Sequence, residues 1–321
     1  MTRLGYTIPS FNYPGSGPDQ IFSHVARQVA EAERSGFDTV MVMDHVYQLP
    51  MHGPPDMYML ECYTMLAAMA RETSRVRVGA LVTGNTYRNP AMLAKIVTTL
   101  DIVSEGRAQL GIGAGWFELE HSAYGFEFGT FTDRFERLDE ALQIICPMLR
   151  GERATLDGKW YSVHDAMNEP PPISNIPLMI GGSGERKTLR MVADYATDSN
   201  LICAPDEVGR KLAALDEHCG RAHRDRSEIT VTRQQAVCVA PTYDEAVAEL
   251  EAMIVERGLS GADADAARAR VIVGDPDTVG EAMSAQMELG IDGFTVSASA
   301  NCHIPGRVEL TGHTLARVVG I

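Results

Sequence analysis

The feature that most constrains this chain is an alternation. Short apolar runs of strand length alternate eight times with longer segments of helical spacing, and the rhythm shows no break in composition. The strand-like runs are Arg3–Ile8, Asp38–Met43, Val76–Val82, Arg107–Ile112, Ile176–Ile180, Asp198–Ile202, Glu228–Val239 and Asp292–Ser297. The helical segments are Asp19–Ser35, Met57–Glu72, Asn89–Val103, Asp133–Leu149, Glu185–Tyr195, Asp206–Ala222, Tyr243–Arg257 and Asp277–Leu289. In the first of these, Ile21, Phe22, Val25, Val29 and Ala32 recur at helical spacing and Gly36 ends the run. Pro90 falls near the first turn of the third, where its missing N–H costs no hydrogen bond.

Eight strand–helix units predict an α/β fold, a (β/α)8 TIM barrel with loop insertions. The competing architecture is a doubly wound open sheet. Against it, the turn after Ile8 lacks the G-x-G-x-x-G that a dinucleotide fold carries there. With no linker in sight, the chain reads as one barrel domain over residues 1–321, with insertions near 48–56, 151–174 and 258–275. Within the middle insertion, Asp157-Gly158 is a hairpin turn signal.

Charge and composition remove several function classes. The formal net charge of −15 argues against nucleic acid, because phosphate binding needs a basic field. An anionic small molecule stays open, since local donors can oppose the global sign. No apolar run approaches the roughly 20 residues of a membrane span, and the N-terminal stretch is too short in apolar residues for a signal peptide. Cys62, Cys146, Cys203, Cys219, Cys238 and Cys302 are widely spaced with no C-x-x-C, which fits reduced thiols in a cytoplasmic protein.

The chemistry of a barrel lies at the C-terminal ends of its strands. The second strand ends in VMVMDHVYQ, so Asp44 and His45 emerge at the mouth, and neighbours on a strand face opposite ways. After the third strand comes ALVTGNTYRNP, where small and polar residues crowd. The fourth gives LGIGAGWFELEHSAYG, with Gly111, Gly113 and Gly115 alternating so that backbone can approach a ligand. The fifth runs into Gly181-Gly182-Ser183-Gly184 and a helix, an arrangement that cradles phosphate with backbone N–H groups. His45, His52, His121, Cys302 and His303 show no metal-ligand spacing, so no metal is expected. There is no G-x-S-x-G elbow, which weighs against acyl transfer.

Taken in order, the DH pair, VTGNTYRNPAMLAK, GIGAGWFELEHSAYGF followed by TDRFERLDEALQII, IGGSGERKTLR and the late GDPDTVGE resemble the luciferase-like monooxygenase superfamily. Within it the chain most resembles the branch using the deazaflavin coenzyme F420, with FMN as the alternative cofactor. The resemblance implies a flavin-type tricycle in the barrel mouth. It implies cofactor contacts from Asp44, Leu81, Val82, Thr83, Asn85, Ala114, Gly115, Trp116, Gly181, Gly182, Ser183 and Gly184. It also implies a non-proline cis peptide after the third strand, best matched by Leu81–Val82 and next by Val82–Thr83. His45 becomes the acid–base candidate, with Asp44 beside it to orient it or favour its charge. A homodimer is the superfamily habit.

Two departures bear on substrate. The deazaflavin sugar-phosphate dehydrogenases carry acidic residues where this chain has Trp116 and Phe11. A polyol would lose hydrogen-bond partners there, at about 1–3 kcal/mol each. A small, rather apolar organic substrate follows, with Phe11, Met43, Trp116 and Phe117 lining its pocket, and Tyr13, Met51 and Met57 as further candidates. The proline-rich Gln48–Asp56 segment reads as a lid. Arg88, Lys95, Arg186 and Lys187 are candidate partners for the acidic deazaflavin tail. The leading function is F420-dependent hydride transfer. An FMN monooxygenase and a non-catalytic flavin-binding protein are the alternatives.

Overall fold

Eight parallel strands close on themselves in chain order: β1 (Leu4–Thr7), β2 (Thr39–Val42), β3 (Arg77–Ala80), β4 (Ala108–Gly113), β5 (Leu178–Gly181), β6 (Asp198–Leu201), β7 (Thr230–Val239) and β8 (Gly293–Ser297). The ring is sealed by Leu4 of β1 pairing with Phe294 of β8, which gives the expected (β/α)8 TIM barrel. The computed structural model describes residues 3–321, so the first two residues of the expected 1–321 domain lie outside the described residues. Most barrel strands are buried along their whole length, as parallel strands covered on both faces must be. That explains why they read as near-continuous apolar runs.

Helices α1 (Ile21–Arg34), α2 (Cys62–Glu72), α3 (Pro90–Val103), α4 (Glu118–Tyr124), α5 (Phe131–Leu149), α6 (Thr188–Tyr195) and α7 (Val208–Arg221) follow the first six strands. Their starts are set by local chemistry. Asn89 caps α3 by accepting the amides of Ala91 and Met92, and Thr130 with Asp133 forms a capping box on α5. Several starts differ from the sequence expectation. The second helix begins at Cys62 rather than Met57, because the Glu61 carboxylate caps the amide of Thr64. The sixth begins at Thr188 rather than Glu185, and the seventh at Val208 after a short 3-10 turn.

The larger differences lie beyond β7. This strand runs ten residues, and its upper half pairs with an extra short strand, Val271–Gly274. On this extension sit α8 (Tyr243–Glu256) and α9 (Gly261–Arg270), with their own small core of Cys238, Ala246, Leu250, Met253, Ile254 and Ala264. The next helix, α10 (Pro276–Met287), leads back to β8, and a final helix, α11 (Arg307–Val319), packs against α10 and α1. The sequence reading assigned no helix to α11. Its mid-helix Gly312 masks the pattern; a Cβ there would lie 1.9 Å from Ser35 Oγ, so close helix packing demands glycine.

Residues 154–157 and 162–166 pair as the expected antiparallel hairpin. Its tip is held by α5, where the Glu140 carboxylate accepts the amides of Lys159, Trp160 and Tyr161.

Candidate active site

His45 stands just past the end of β2, and its orientation is fixed from an unexpected direction. Its Nδ1 lies 2.6 Å from Glu120 Oε1 on α4. The other Glu120 oxygen accepts the backbone amides of Val46 at 2.9 Å and Tyr47 at 3.3 Å, and the Tyr87 hydroxyl also donates to this carboxylate. Glu120 is fully buried. Burial alone would raise its pKa, but the donors from His45, Tyr87 and Val46 outweigh that and hold it below the usual carboxylate range. A carboxylate can only accept, so Nδ1 carries the proton and a neutral His45 keeps its lone pair on Nε2. Among the described residues Nε2 has no hydrogen-bond partner.

The sequence reading gave the orienting role to Asp44, and the structure does not. Asp44 faces the other way and takes a bidentate pair from Arg88 at 2.6 and 3.0 Å, plus the amide of Gly84 at 3.0 Å. Burial raises its pKa and Arg88 opposes the rise. Arg88 also pairs with Glu61 at 2.6 Å and lies over the Tyr63 ring. Asp44 thus clamps together the loops after β2 and β3. Arg88, one of the cations expected for an acidic tail, is committed to this clamp.

The third and fourth strand ends meet beside these groups. Leu81–Val82 is a cis peptide, as expected, and Val82–Thr83 is not. The Val82 side chain fills the space that a Cβ on Gly113 or Gly181 would enter, while a Cβ on Gly111 would meet the Ala80 carbonyl oxygen at 2.1 Å. Two of the alternating glycines therefore serve strand packing. Gly115 differs: its φ is +80°, and Arg134 Nε holds its carbonyl at 3.1 Å. This turn presents Trp116, 53% exposed, with its ring 5.8 Å from His45 and stacked on Phe117. Thr83 is buried and bonded to the Tyr63 hydroxyl. Asn85 is buried too; its Nδ2 reaches Tyr161 of the hairpin at 3.5 Å, while its Oδ1 has no partner.

Beside β4, Gly181 ends β5, Gly182 adopts φ +116°, and Ser183 Oγ accepts the amide of Ile202 at 2.8 Å. A Cβ on Gly184 would lie 2.9 Å from Thr188 Oγ1. The first turn of α6 has no side-chain cap, and within it the Leu189 amide donates to the Gly184 carbonyl at 3.0 Å. Lys187 lies over the Phe131 and Phe135 rings, and Arg186 lines a surface cleft with Arg190 and His218. Lys95 is tied to the Glu169 carbonyl.

Several pocket candidates sit elsewhere than expected. Phe11 is 2% exposed within the main core. Tyr13 stacks on His24 and accepts from Gln28. Met43 is half-buried next to Asp44, Met51 is exposed on the 48–56 segment, and Met57 packs against Gly53. His121 is a satisfied core histidine, bonded to Thr86 Oγ1 and the Phe117 carbonyl, each at 2.7 Å. Among the described residues no three His, Cys, Asp or Glu side chains converge as a metal site, and no helix is long and apolar enough to cross a membrane.

Glu120 and Tyr87 were not singled out from the sequence. A signal for Glu120 was present: Phe117, Glu120, His121 and Tyr124 fall at helical spacing on one face, putting a carboxylate on the inner side of a short amphipathic turn.

Comparison with known proteins agrees with this fold. An F420-dependent glucose-6-phosphate dehydrogenase from Microbacterium testaceum (strain StLB037) is 32% identical over 250 residues, covering 76% of this chain and 70% of the relative. A protein of the same name from Intrasporangium calvum is 34% identical over 243 residues, covering 71% of this chain and 67% of the relative. The structure of an F420-dependent secondary alcohol dehydrogenase with an F420–acetone adduct superposes with a TM-score of 0.81 at 20% identity, covering 99% of both chains. The FMN-bound oxygenating constituent of 3,6-diketocamphane monooxygenase from Pseudomonas putida superposes with a TM-score of 0.74 at 21% identity, again over 99% of both chains. The family model described as luciferase-like monooxygenase matches residues 2–293, and the chain belongs to that family.

Proposed function

We propose that this protein is an F420-dependent oxidoreductase that moves hydride between the coenzyme and a small, largely apolar organic substrate, with His45 handling the accompanying proton. The observation that carries the reading is the barrel mouth itself. An imidazole with a buried carboxylate on Nδ1 and an uncommitted Nε2 stands beside exposed aromatic rings, opposite a glycine turn shaped for phosphate. Relatives named F420-dependent glucose-6-phosphate dehydrogenases support the cofactor.

The residues present fit such a coenzyme. Gly182, Ser183 and Gly184 would hold its phosphate, and the positive φ of Gly182 and the tight space at Gly184 exclude a side chain there. Ala114, Gly115 and Trp116 would flank the ring system, with Asn85 Oδ1 a buried acceptor awaiting a donor. When bound, the deazaflavin supplies a carbon centre that accepts or gives hydride. His45 supplies the proton step: its Nε2 takes a proton from a substrate hydroxyl or returns one. Glu120 fixes the ring and its tautomer. Trp116 and Phe117 shield the substrate from water.

Sugar phosphate is not carried over from the relatives, because the wall beside His45 is aromatic. The test is a titration of purified protein with F420 and with FMN, followed by absorbance, and then turnover across alcohols and carbonyl compounds. Saturable F420 binding with turnover is expected. Tight FMN binding without F420 binding would overturn the cofactor assignment.

A further inference from the structure

A second set of polar groups lies under the 48–56 segment, away from the glycine turn. Arg257, the residue just after α8, is half-buried and makes no ion pair among the described residues; its hydrogen bond is to the Met51 carbonyl, at 3.5 Å. Cys302 and Glu256 act on it from nearby, and neither forms an ion pair with it among the described residues. Cys302, which faces the guanidinium, has its thiol pushed up to about 12 by burial and stays neutral. Glu256, its chain neighbour, makes no ion pair with it among the described residues. On the roof, His52 Nδ1 and Gln48 Nε2 are buried with no hydrogen-bond partner. A half-buried guanidinium held by one long bond to a carbonyl keeps its other donors open to an anion.

We propose that Arg257, roofed by the 48–56 segment, anchors a carboxylate on the substrate, so that the substrate is an otherwise apolar organic monoacid. This rests on reading the barrel mouth as the substrate site. The position separates it from the coenzyme's phosphate. The 48–56 segment follows β2, Cys302 follows β8, and α8 stands on the β7 extension, whereas the glycine turn follows β5 on the far side of the closed ring. His45, which also follows β2, is flanked by Trp116 and Phe117. A molecule held by one end at Arg257 lays its apolar body against those rings.

The charge count favours a carboxylate over a phosphate. Burial, with Arg257 and then His45 adding to it, pushes the His52 pKa down to about 4, so His52 is neutral at working pH. One positive charge therefore faces the space, and a phosphate dianion would bring one negative charge too many. A carboxylate is planar, carries one charge and matches the guanidinium fork with two parallel hydrogen bonds. Neutral His52 and the Gln48 amide can add neutral donors.

The test measures binding and stability as well as catalysis. Benzoate and its uncharged isostere benzamide are titrated calorimetrically into wild type, Arg257→Met and Arg257→Lys, each with and without F420. Benzoate should bind wild type, and Arg257→Met should weaken it about 10- to 100-fold, the span of a charge-assisted hydrogen-bonded pair. Arg257→Lys should recover part of the loss, and benzamide should show no such dependence. The melting temperature of Arg257→Met should stay level or rise, because an uncompensated charge has been removed; a purely structural arginine would lower it. The proposal is overturned if benzoate binds equally to wild type and Arg257→Met. It is also overturned if none of benzoate, phenylacetate and hexanoate binds wild type below about 10 mM. Failure to take up F420 in the same titrations would count against the cofactor assignment alone, since the benzoate comparison is also run without it.

Discussion

Replacing Glu120 by Gln tests the proton-handling site most directly, because it changes one atom and keeps the shape. Glu120 receives four donors: His45 Nδ1, the amides of Val46 and Tyr47, and the Tyr87 hydroxyl. In the variant, one oxygen can still accept the two amides. The NH2 group then faces His45 and Tyr87. A protonated Nδ1 cannot face an amide N–H, so His45 must move its proton to Nε2 and accept on Nδ1. That tautomer is wrong for a base working through Nε2. The lost interaction is a charge-assisted hydrogen bond to a fully buried carboxylate, worth about 1.5–3 kcal/mol. Turnover should fall about 10- to 150-fold if the full amount is felt in the transition state. Stability should change little, because the flipped imidazole and a rotated Tyr87 hydroxyl restore satisfied pairs. Nitrogen-15 NMR of the imidazole reports the tautomer directly, and kcat with KM separates chemistry from binding. An unchanged tautomer, or a flipped tautomer with normal kcat, would refute the claim that Glu120 sets the working face of His45.

Three other outcomes are expected. His45→Ala should lose about 10²- to 10⁴-fold in turnover with nearly unchanged coenzyme affinity; near-normal turnover would remove His45 from the chemistry. Gly182→Val should stay folded, since a Cβ there meets Thr188 only at 3.5 Å, yet resist φ +116° and lose coenzyme binding at least tenfold; parent-like affinity would move the phosphate site elsewhere. For His52, the folded pKa of about 4 lies below the unfolded value near 6.5, so the unfolded chain binds the extra proton between them and stability falls as pH drops through that window. The loss reaches at most about 3 kcal/mol by pH 4, and His52→Gln should flatten it in urea midpoints compared at pH 7 and 4.5; equal pH slopes in the two proteins would contradict it.

What was legible in the sequence follows from where each property is encoded. Barrel strands are buried on both faces, so β2 announces itself as an apolar run and its end, Asp44-His45, as a change of chemistry. The glycine turn after β5 was equally visible, because a positive φ at Gly182 admits few other residues. Pairing between distant segments was not visible. Asp44 and His45 are chain neighbours, which made a dyad the natural reading, but the strand alternation that sends them to opposite sides also gives them separate partners, 44 and 75 residues away in Arg88 and Glu120. Adjacency in sequence at a strand end is thus better read as two sites than as one. The same logic explains α11 and the helices on the β7 extension. Their short apolar faces become meaningful only against surfaces built by other segments, as Gly312 does against Ser35. Arg257 lies at the limit of this blindness. Along the chain it is an ordinary basic residue closing a helix, and it acquires chemical meaning only when β2, β7 and β8 bring a neutral thiol, an imidazole with an unpartnered Nδ1 and a carbonyl around it without an ion pair.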